Sequence, residues 1–203
     1  MLIVEGPDLV GKTTFCHLLL KRLNKEFQLG HVYAHLSRLP EGFDGYHDHM
    51  ALASTRLVQD RFHMSEIVYG LTLRGKSLVL PETYRMLDGM LRQFATLTVV
   101  IVADHYLLRD RYCTSDRAEM FTEEQVLAVN DGFHKVGLQQ FFRGTYSEGA
   151  GTPAVLDYFP DVDYVIRCTP DKPYPTEEDA IEVVNSYLER FYEVTNRSRR
   201  NGR

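Results

Sequence analysis

The chain has 203 residues, and 44% of them are hydrophobic, which is enough apolar material for one α/β domain with a sheet covered on both faces. Its formal net charge of -5 argues against a nucleic-acid backbone as the main partner. The three cysteines are widely spaced and form no C-x-x-C pair, so we expect neither a disulfide framework nor a thiolate zinc site. No apolar run approaches the roughly 18 residues of a membrane span, and no secretion signal precedes the first apolar run. We therefore expect residues 1–203 to form one cytoplasmic domain that acts on small molecules, without nucleic acid or membrane as a partner.

The first strong signal is a glycine loop between a predicted strand and a predicted helix. Residues 2–4 form a short apolar run, and residues 6–13 fit the pattern G-x-x-x-x-G-K-[ST] without a mismatch. Apolar residues then recur at the helical positions 15, 18, 19 and 23. This order of strand, loop and helix predicts a phosphate-binding loop rather than a chance glycine turn.

The chemistry of such a loop assigns roles to its residues. Its backbone N–H groups and the positive end of the following helix surround phosphate oxygens. Lys12 can follow the charge that develops on the transferred phosphoryl group, and the hydroxyl of Thr13 is placed to bind Mg²⁺. The residues predicted to contact the phosphates of ATP are Gly6, Leu9, Val10, Gly11, Lys12, Thr13 and Thr14.

Short apolar runs alternate with helical patterns along the next part of the chain, and this alternation predicts a mostly parallel sheet. The predicted elements are a strand at 32–36, a short helix at 50–56, a strand at 57–59, helices at 65–73 and from Pro81, and a buried strand at 97–103. The strand at 57–59 delivers Asp60 and Arg61 to the carboxyl edge of the sheet, where ligands bind in open α/β folds.

The segment at 104–120 carries several arginines and little apolar periodicity, which predicts a mobile lid. Thr122 and Gln125 form a possible capping box for a long helix, which we expect to end near Phe142.

The last part of the chain combines an irregular stretch with a final strand and helix. Residues 143–161 are rich in Gly and Pro and predict a surface excursion with no assigned function. A strand at 164–168 follows, and then a helix from Thr176 with an apolar stripe of Ile181, Val184, Leu188 and Phe191. The expected fold is therefore a P-loop NTPase-type α/β domain, with a five-stranded, mostly parallel sheet, helices on both faces and an arginine-bearing lid.

A phosphate loop alone permits a GTPase switch, an ATP-driven motor or a small-molecule kinase. The guanine-reading pattern N-K-x-D is missing, because residues 24–27 read Asn-Lys-Glu-Phe. No apolar run ends in two acidic residues that would supply the base of an ATPase. The sequence therefore favours a kinase.

Two motifs make a family resemblance specific. Residues 5–14 are similar to the thymidylate kinase loop E-G-x-D-x-x-G-K-[ST]-[ST], and residues 60–69 are similar to the family's D-R-[FY]-x-x-S-x-x-x-[YF]. The chain thus resembles a thymidylate kinase-like nucleotide kinase, with a compact phage member as one option. The resemblance implies transfer of the γ-phosphoryl group of ATP, with Mg²⁺, to the 5′-phosphate of thymidylate or a related, modified deoxynucleotide. It also implies a homodimer.

On the acceptor side, the resemblance assigns four residues. Asp8 would accept a hydrogen bond from the sugar 3′-hydroxyl, and Arg61 would hold the 5′-phosphate with its bidentate guanidinium. Asp60 would position Mg²⁺-bound water or orient Arg61, so Thr13 and Asp60 are the predicted metal-site residues. Arg38 would also touch the phosphate, although Leu39 departs from the Glu of the family's R-E-P turn.

The resemblance specifies the residues of the base pocket and of the catalytic cation less closely. Phe62 and Tyr69 are predicted to wall the base, although aromatic residues at such spacing are more often core. The apolar Leu9 and Val10 leave the lid to supply the cation that stabilises the transferring group. Of the lid arginines Arg109, Arg111 and Arg117, the last two are slightly favoured.

Three alternatives remain at this level. A deoxynucleoside kinase would need a carboxylate base, for which Glu41 is the candidate, and Asp8 counts against it. A kinase acting on a modified base in DNA predicts salt-sensitive DNA binding. A nucleotide-binding regulator predicts ATP binding without turnover. The identity of the acceptor's nucleobase also stays open, because the family often has Gln at the position where this chain has Gly70.

Overall fold

A computed structural model describes residues 1–36, 56–77, 79, 81–115, 120–138, 142–146, 154–158 and 162–201, and at 81, 94, 142–146, 154–158 and 197–201 it describes the backbone alone. The strands are β1 (Leu2–Glu5), β2 (Val32–His35), β3 (Leu57–Asp60), β4 (Leu97–Ala103), β5 (Phe142–Tyr146), β6 (Ala154–Tyr158) and β7 (Tyr164–Cys168). The α-helices are α1 (Lys12–Lys25), α2 (His63–Tyr69), α3 (Pro81–Leu91), α4 (His105–Cys113), α5 (Glu123–Gly137) and α6 (Glu177–Asn201). A π-helical turn over Gly70–Arg74 extends α2, and a 3₁₀ turn over Arg92–Phe94 extends α3.

The main sheet has five strands in the order β2-β3-β1-β4-β7, and all of its pairings are parallel. The central strand β1 is wholly buried and places Val4 beside Asp60 on one side and Val99 on the other. The chain therefore continues to both sides of β1, and the crevice at the carboxyl end of this strand is the expected ligand position. The predicted five-stranded α/β fold is confirmed, and the sheet is parallel throughout.

Helices cover both faces of this sheet, and β4 therefore buries side chains on both sides. Val99 and Ile101 pack in the cluster that contains residues of α1 and α6, whereas Val100 and Val102 pack with residues of α2, α3 and α5. Complete burial of such a side chain contributes about 1.5–3 kcal/mol. The continuous apolar run that predicted β4 thus forms the centre of both layers of the core.

The predicted capping box at the start of α5 is confirmed. The Thr122 hydroxyl accepts the backbone N–H of Gln125 at 3.2 Å, and the Gln125 side chain accepts the N–H of Thr122 at 2.9 Å. The expected end near Phe142 is wrong, because α5 ends at Gly137. Glycine has a low helix propensity, and the backbone of Gly137 lies close to Val165 of β7, where a Cβ would be 3.2 Å from the methyl groups.

The segment at 143–161 contains regular structure rather than a wholly irregular excursion. β5 and β6 form a separate antiparallel pair, with Phe142 opposite Tyr158 and Gly144 opposite Leu156. Each strand has only five residues, which is too short for a clear period in the sequence, and three of the five Gly and Pro residues of the segment lie between the strands at 147–153.

The predicted lid also contains a helix. α4 occupies His105–Cys113, and three of its residues, Leu107, Leu108 and Arg111, are buried. The weak apolar periodicity reflects a helix that buries few positions, one of which is an arginine. The lid movement itself stays a prediction.

The final helix α6 buries most of the predicted apolar stripe. Val184 and Leu188 are buried in the core and Phe191 packs against it, whereas Ile181 is 36% exposed and does not belong to the core. Tyr187 is a further buried position that the sequence did not single out. Within the described ranges, no helix is both long enough and apolar enough to cross a membrane.

Several predictions fall on residues outside the described ranges. They are the helix at 50–56, apart from residue 56, and the candidate residues Arg38, Glu41 and Arg117.

Replacing Thr122 with Ala should lower the free energy of unfolding by about 1 kcal/mol, because α5 loses a side-chain cap. Urea denaturation measures this change. Thr122→Ser keeps the hydroxyl and should stay close to the parent protein. An equal loss in both variants would contradict the capping role.

Candidate functional site

The phosphate loop connects β1 to α1 through residues in unusual backbone conformations. Gly6 has a φ of +147°, and a Cβ there would overlap the carbonyl oxygen of Ile101 in β4. Leu9 and Gly11 both lie in the left-handed region, with φ of 69° and 85°, and Gly11 precedes the first residue of α1. Left-handed residues within a turn are typical of backbone segments that bind anions. The predicted order of strand, loop and helix is therefore present.

Lys12 lies inside this loop rather than in solvent. It is 6% exposed, and its Nζ donates a hydrogen bond to the carbonyl oxygen of Pro7. Burial lowers the pKa of Lys12 to about 8, the charge of Arg61 acts in the same direction, and the nearby carboxylates of Asp8 and Asp60 oppose the shift. The ammonium group is thus held under the loop, where a phosphate would compete with the Pro7 carbonyl.

The carboxylate of Asp60 at the end of β3 lies next to the first turn of α1. Its Oδ2 accepts the hydroxyl of Thr13 at 2.6 Å and that of Tyr33 at 3.2 Å, and it lies 3.1 Å from Nδ1 of His35. Its Oδ1 is buried and has no hydrogen-bond partner in the part of the chain that the structure describes. Sequence reasoning missed Tyr33 and His35, which lie on a four-residue edge strand that carries no motif.

Thr13 and Asp60 fit a Mg²⁺ site, because the Thr13 hydroxyl contacts Oδ2 of the Asp60 carboxylate, and Mg²⁺ prefers oxygen ligands. Among the described residues, no cluster of three or more His, Cys, Asp or Glu side chains could hold a metal ion. Such a site suits Mg²⁺ that takes its remaining ligands from water and substrate phosphates.

Asp8, Arg61 and Tyr69 form a second cluster, beside the loop. The guanidinium of Arg61 donates to Oδ1 of Asp8, and the Tyr69 hydroxyl donates to Oδ2 at 3.0 Å. The guanidinium carbon of Arg61 lies 5.0 Å from the centre of the Tyr69 ring. Arg61 pairs with Asp8 rather than Asp60, and its buried Nε has no hydrogen-bond partner among the described residues. The structure thus brings together three of the five residues predicted for the acceptor.

Phe62, by contrast, does not line a site. Its side chain is fully buried with Met1, Ile3, Leu57 and Leu91, so no ring face is available to a base. The acceptor-wall prediction for Phe62 is therefore wrong. The residue follows Arg61 at the turn from β3 into α2, and this turn directs it into the core.

Glu5 belongs to the first motif, but the sequence alone assigns it no role. In the structure it contacts the turn from β3 into α2. Its Oε1 accepts the backbone N–H of Phe62 at 2.9 Å, and its Oε2 accepts the hydroxyl of Ser65. Complete burial raises the pKa of Glu5 to about 7, against the opposing effect of these hydrogen bonds and of Arg61. A signal for this contact exists in the sequence, because Glu5 and Ser65 are both fixed letters of the two motifs.

The lid arginines differ in position. Arg111 is 8% exposed, and its guanidinium donates to the carbonyl oxygens of Leu9, at 2.6 Å, and Pro173, while lying 3.9 Å from the centre of the Tyr174 ring. Arg109 instead pairs with Glu123 on the surface. Of the two favoured arginines, Arg111 is beside the phosphate loop.

Replacing Glu5 with Gln should remove a pH-dependent part of stability. Because the folded-state pKa of Glu5, about 7, exceeds its ordinary value of 4.5, its stabilising contribution is complete below pH 4.5 and is lost as the pH rises through 7. The free energy of unfolding of the parent, relative to Glu5→Gln, should fall by about 3 kcal/mol between these limits. Urea titrations of both proteins across this range measure the difference, and a constant difference would contradict the assignment.

Comparison with known proteins supports the fold. The chain matches no protein-family model and no curated protein sequence. Among solved structures it is similar to the YorR protein of Bacillus subtilis, which was crystallised in complex with phosphorylated GDP. The two share 16% sequence identity over 91% of this chain and 93% of the other, with a TM-score of 0.56. The similarity shows that this chain and YorR share an α/β fold.

Proposed function

We propose that the protein is a P-loop nucleotide kinase that transfers the γ-phosphoryl group of ATP, with Mg²⁺, to the 5′-phosphate of a deoxynucleoside monophosphate. The observation that carries the proposal is the cluster of Asp8, Arg61 and Tyr69 directly beside the phosphate loop. A loop that only binds or hydrolyses a nucleoside triphosphate has no need of an arginine and a carboxylate at this position.

The donor half of the proposed site is formed by the loop and by the first turn of α1. The backbone N–H groups after Gly6 and the ammonium of Lys12 would bind the phosphates of ATP. Thr13 and Asp60 would hold Mg²⁺, which neutralises phosphate charge when it is bound.

The acceptor half is formed by the second cluster. Arg61 would bind the acceptor phosphate, because its planar guanidinium presents several donors that match phosphate oxygens. Asp8, fixed by Arg61 and Tyr69, would accept the sugar 3′-hydroxyl. Because the acceptor phosphate is already an anionic nucleophile near neutral pH, no strong base is required, and alignment with charge neutralisation supplies most of the acceleration.

Arg111 and Arg117 are the proposed sources of the cation on the donor side. The proximity of Arg111 to the carbonyl group of Leu9 supports its role. We further propose nucleotides as the only substrates, a cytoplasmic location and a homodimer. The nucleotide bound in the YorR crystal structure is a purine, which adds guanine to the acceptor bases that a test should include.

Arg61→Ala and Lys12→Ala should each lower kcat/KM by roughly 10²–10³-fold, because each removes a charged donor that acts on a phosphoryl group. A coupled assay of nucleoside diphosphate formation measures the effect. Arg92→Ala removes an exposed arginine paired with Asp88, and should leave transfer unchanged. Parent-like transfer in either site variant would refute the proposal.

The acceptor should be a monophosphate, because Asp8 and Arg61 together match a sugar hydroxyl and a phosphate. A screen of the common deoxynucleoside monophosphates with ATP, beside thymidine and duplex DNA, tests this expectation. Turnover with thymidine alone would favour a nucleoside kinase, and turnover with DNA alone would favour a base-modifying kinase. Tight ATP binding without any turnover would favour a regulator.

The pH dependence of catalysis should follow the ionisation of Lys12. The lowered pKa of Lys12, about 8, means that the unliganded protein loses this positive charge as the pH rises through that value. We expect kcat/KM for ATP to fall above about pH 8, since this parameter follows ionisations of the free enzyme. Lys12→Arg should shift the fall to higher pH, and an unchanged profile would contradict the assignment.

A further inference from the structure

Arg61 adopts a backbone conformation that needs outside support. Its φ of 67° lies in the left-handed region, which is uncommon for a residue with a long side chain. Such conformations persist where surrounding contacts fix them. Here the N–H of Arg61 donates to the carbonyl oxygen of Val4 at 2.9 Å, and its carbonyl oxygen accepts Nε2 of Gln59 at 2.9 Å.

The peptide that follows Arg61 is fixed by Glu5. The N–H of Phe62 donates to Oε1 of Glu5 at 2.9 Å, and the Ser65 hydroxyl donates to Oε2. Phe62 is the residue before α2 and has no side-chain oxygen to cap the helix, so Glu5 performs this task from the end of β1. Both carboxylate oxygens are thus engaged with the turn that carries Arg61.

We propose that Glu5 is a positioning residue, whose carboxylate fixes the Arg61–Phe62 peptide and the first turn of α2 so that the Arg61 guanidinium is held beside the phosphate loop. The proposal rests on the proposed function for one point only, which is that Arg61 binds the acceptor phosphate. Glu5 itself is fully buried with both oxygens occupied, and it therefore acts through Arg61 rather than on the substrate.

The position of Glu5 in the chain determines which two segments its carboxylate connects. Glu5 immediately precedes Gly6, the first residue of the loop, and lies three residues before Asp8. One side chain therefore connects the start of the loop, which leads to Asp8, with the start of α2, which follows Arg61. Burial of this carboxylate raises the pKa of Glu5 to about 7.

A double-mutant cycle tests the proposal with binding as the readout. Glu5→Ala should weaken binding of the acceptor monophosphate, measured by calorimetry, by about tenfold or more, because a displaced Arg61 loses charge-assisted hydrogen bonds. In an Arg61→Ala background the same change should have less than a twofold effect, since the residue through which Glu5 acts is absent. Equal losses in both backgrounds would overturn the proposal.

Two further variants separate positioning from general loss of stability. Glu5→Gln keeps an oxygen for the Phe62 N–H and an amide that can donate to Ser65, so it should bind the monophosphate within about threefold of the parent if geometry is what matters. Asp163→Asn changes a carboxylate that accepts the Thr98 N–H at 2.7 Å just before β7 and has no hydrogen bond with the turn that carries Arg61 among the described contacts, so it should leave acceptor binding unchanged. A loss in Asp163→Asn equal to that in Glu5→Ala would overturn the proposal.

The same measurements distinguish this inference from the proposed function. A parent protein that binds the monophosphate through Arg61 but transfers no phosphoryl group would refute the kinase assignment and leave the double-mutant cycle intact. A parent protein whose monophosphate binding is insensitive to Arg61→Ala would overturn the positioning role.

Discussion

The parallel pairing of β1 with β3 is the constraint on which the whole site depends. Its register sets Val4 beside Asp60, so the loop that leaves β1 and the turn that leaves β3 emerge at the same level of the sheet. The hydrogen bond from the Arg61 N–H to the Val4 carbonyl extends this pairing by one residue beyond the strands. A shift of one residue would reverse the side of the sheet that Asp60 faces and would separate it from Thr13.

Burial of charge at this edge follows from the same pairing. Three carboxylates and three cations are buried or nearly so within the site, namely Glu5, Asp8, Asp60, Lys12, Arg61 and Arg111. Full ionisation of all six would leave no net charge, so these side chains offer no excess of positive charge to a polyanionic ligand. Burial raises the pKa of Glu5 to about 7, so protonation of Glu5 near neutral pH removes part of the buried negative charge.

Much of this arrangement could be predicted from the sequence. Motif spacings depend on residues that are close together in the chain, and ligands bind at the carboxyl edge of a parallel sheet. The loop, the capping box of Thr122 and the position of Asp60 each depend on short spacings, and the structure bears them out. The contacts of Glu5 with Ser65 and of Arg111 with Leu9 span 60 and 102 residues. Glu5 and Ser65 are each part of a motif, but local spacing does not indicate that the two motifs meet through these side chains, and no motif includes Arg111. The prediction for Phe62 is wrong for the same reason, since whether an aromatic ring lines a pocket or the core depends on tertiary packing.

The cluster of Asp8, Arg61 and Tyr69 and the phosphate loop are held by different contacts. The three residues of the cluster contact one another through their side chains. The loop is contacted by Arg111, which donates to the carbonyl groups of Leu9 and Pro173, and the Tyr174 ring lies 3.0 Å from where a Cβ of Gly11 would be. The loop, α4 and the segment after β7 therefore meet at Arg111. If α4 moves as the sequence predicts, Arg111 would have to release its contacts with Pro173 and Tyr174, so such a movement would be coupled to the segment before α6.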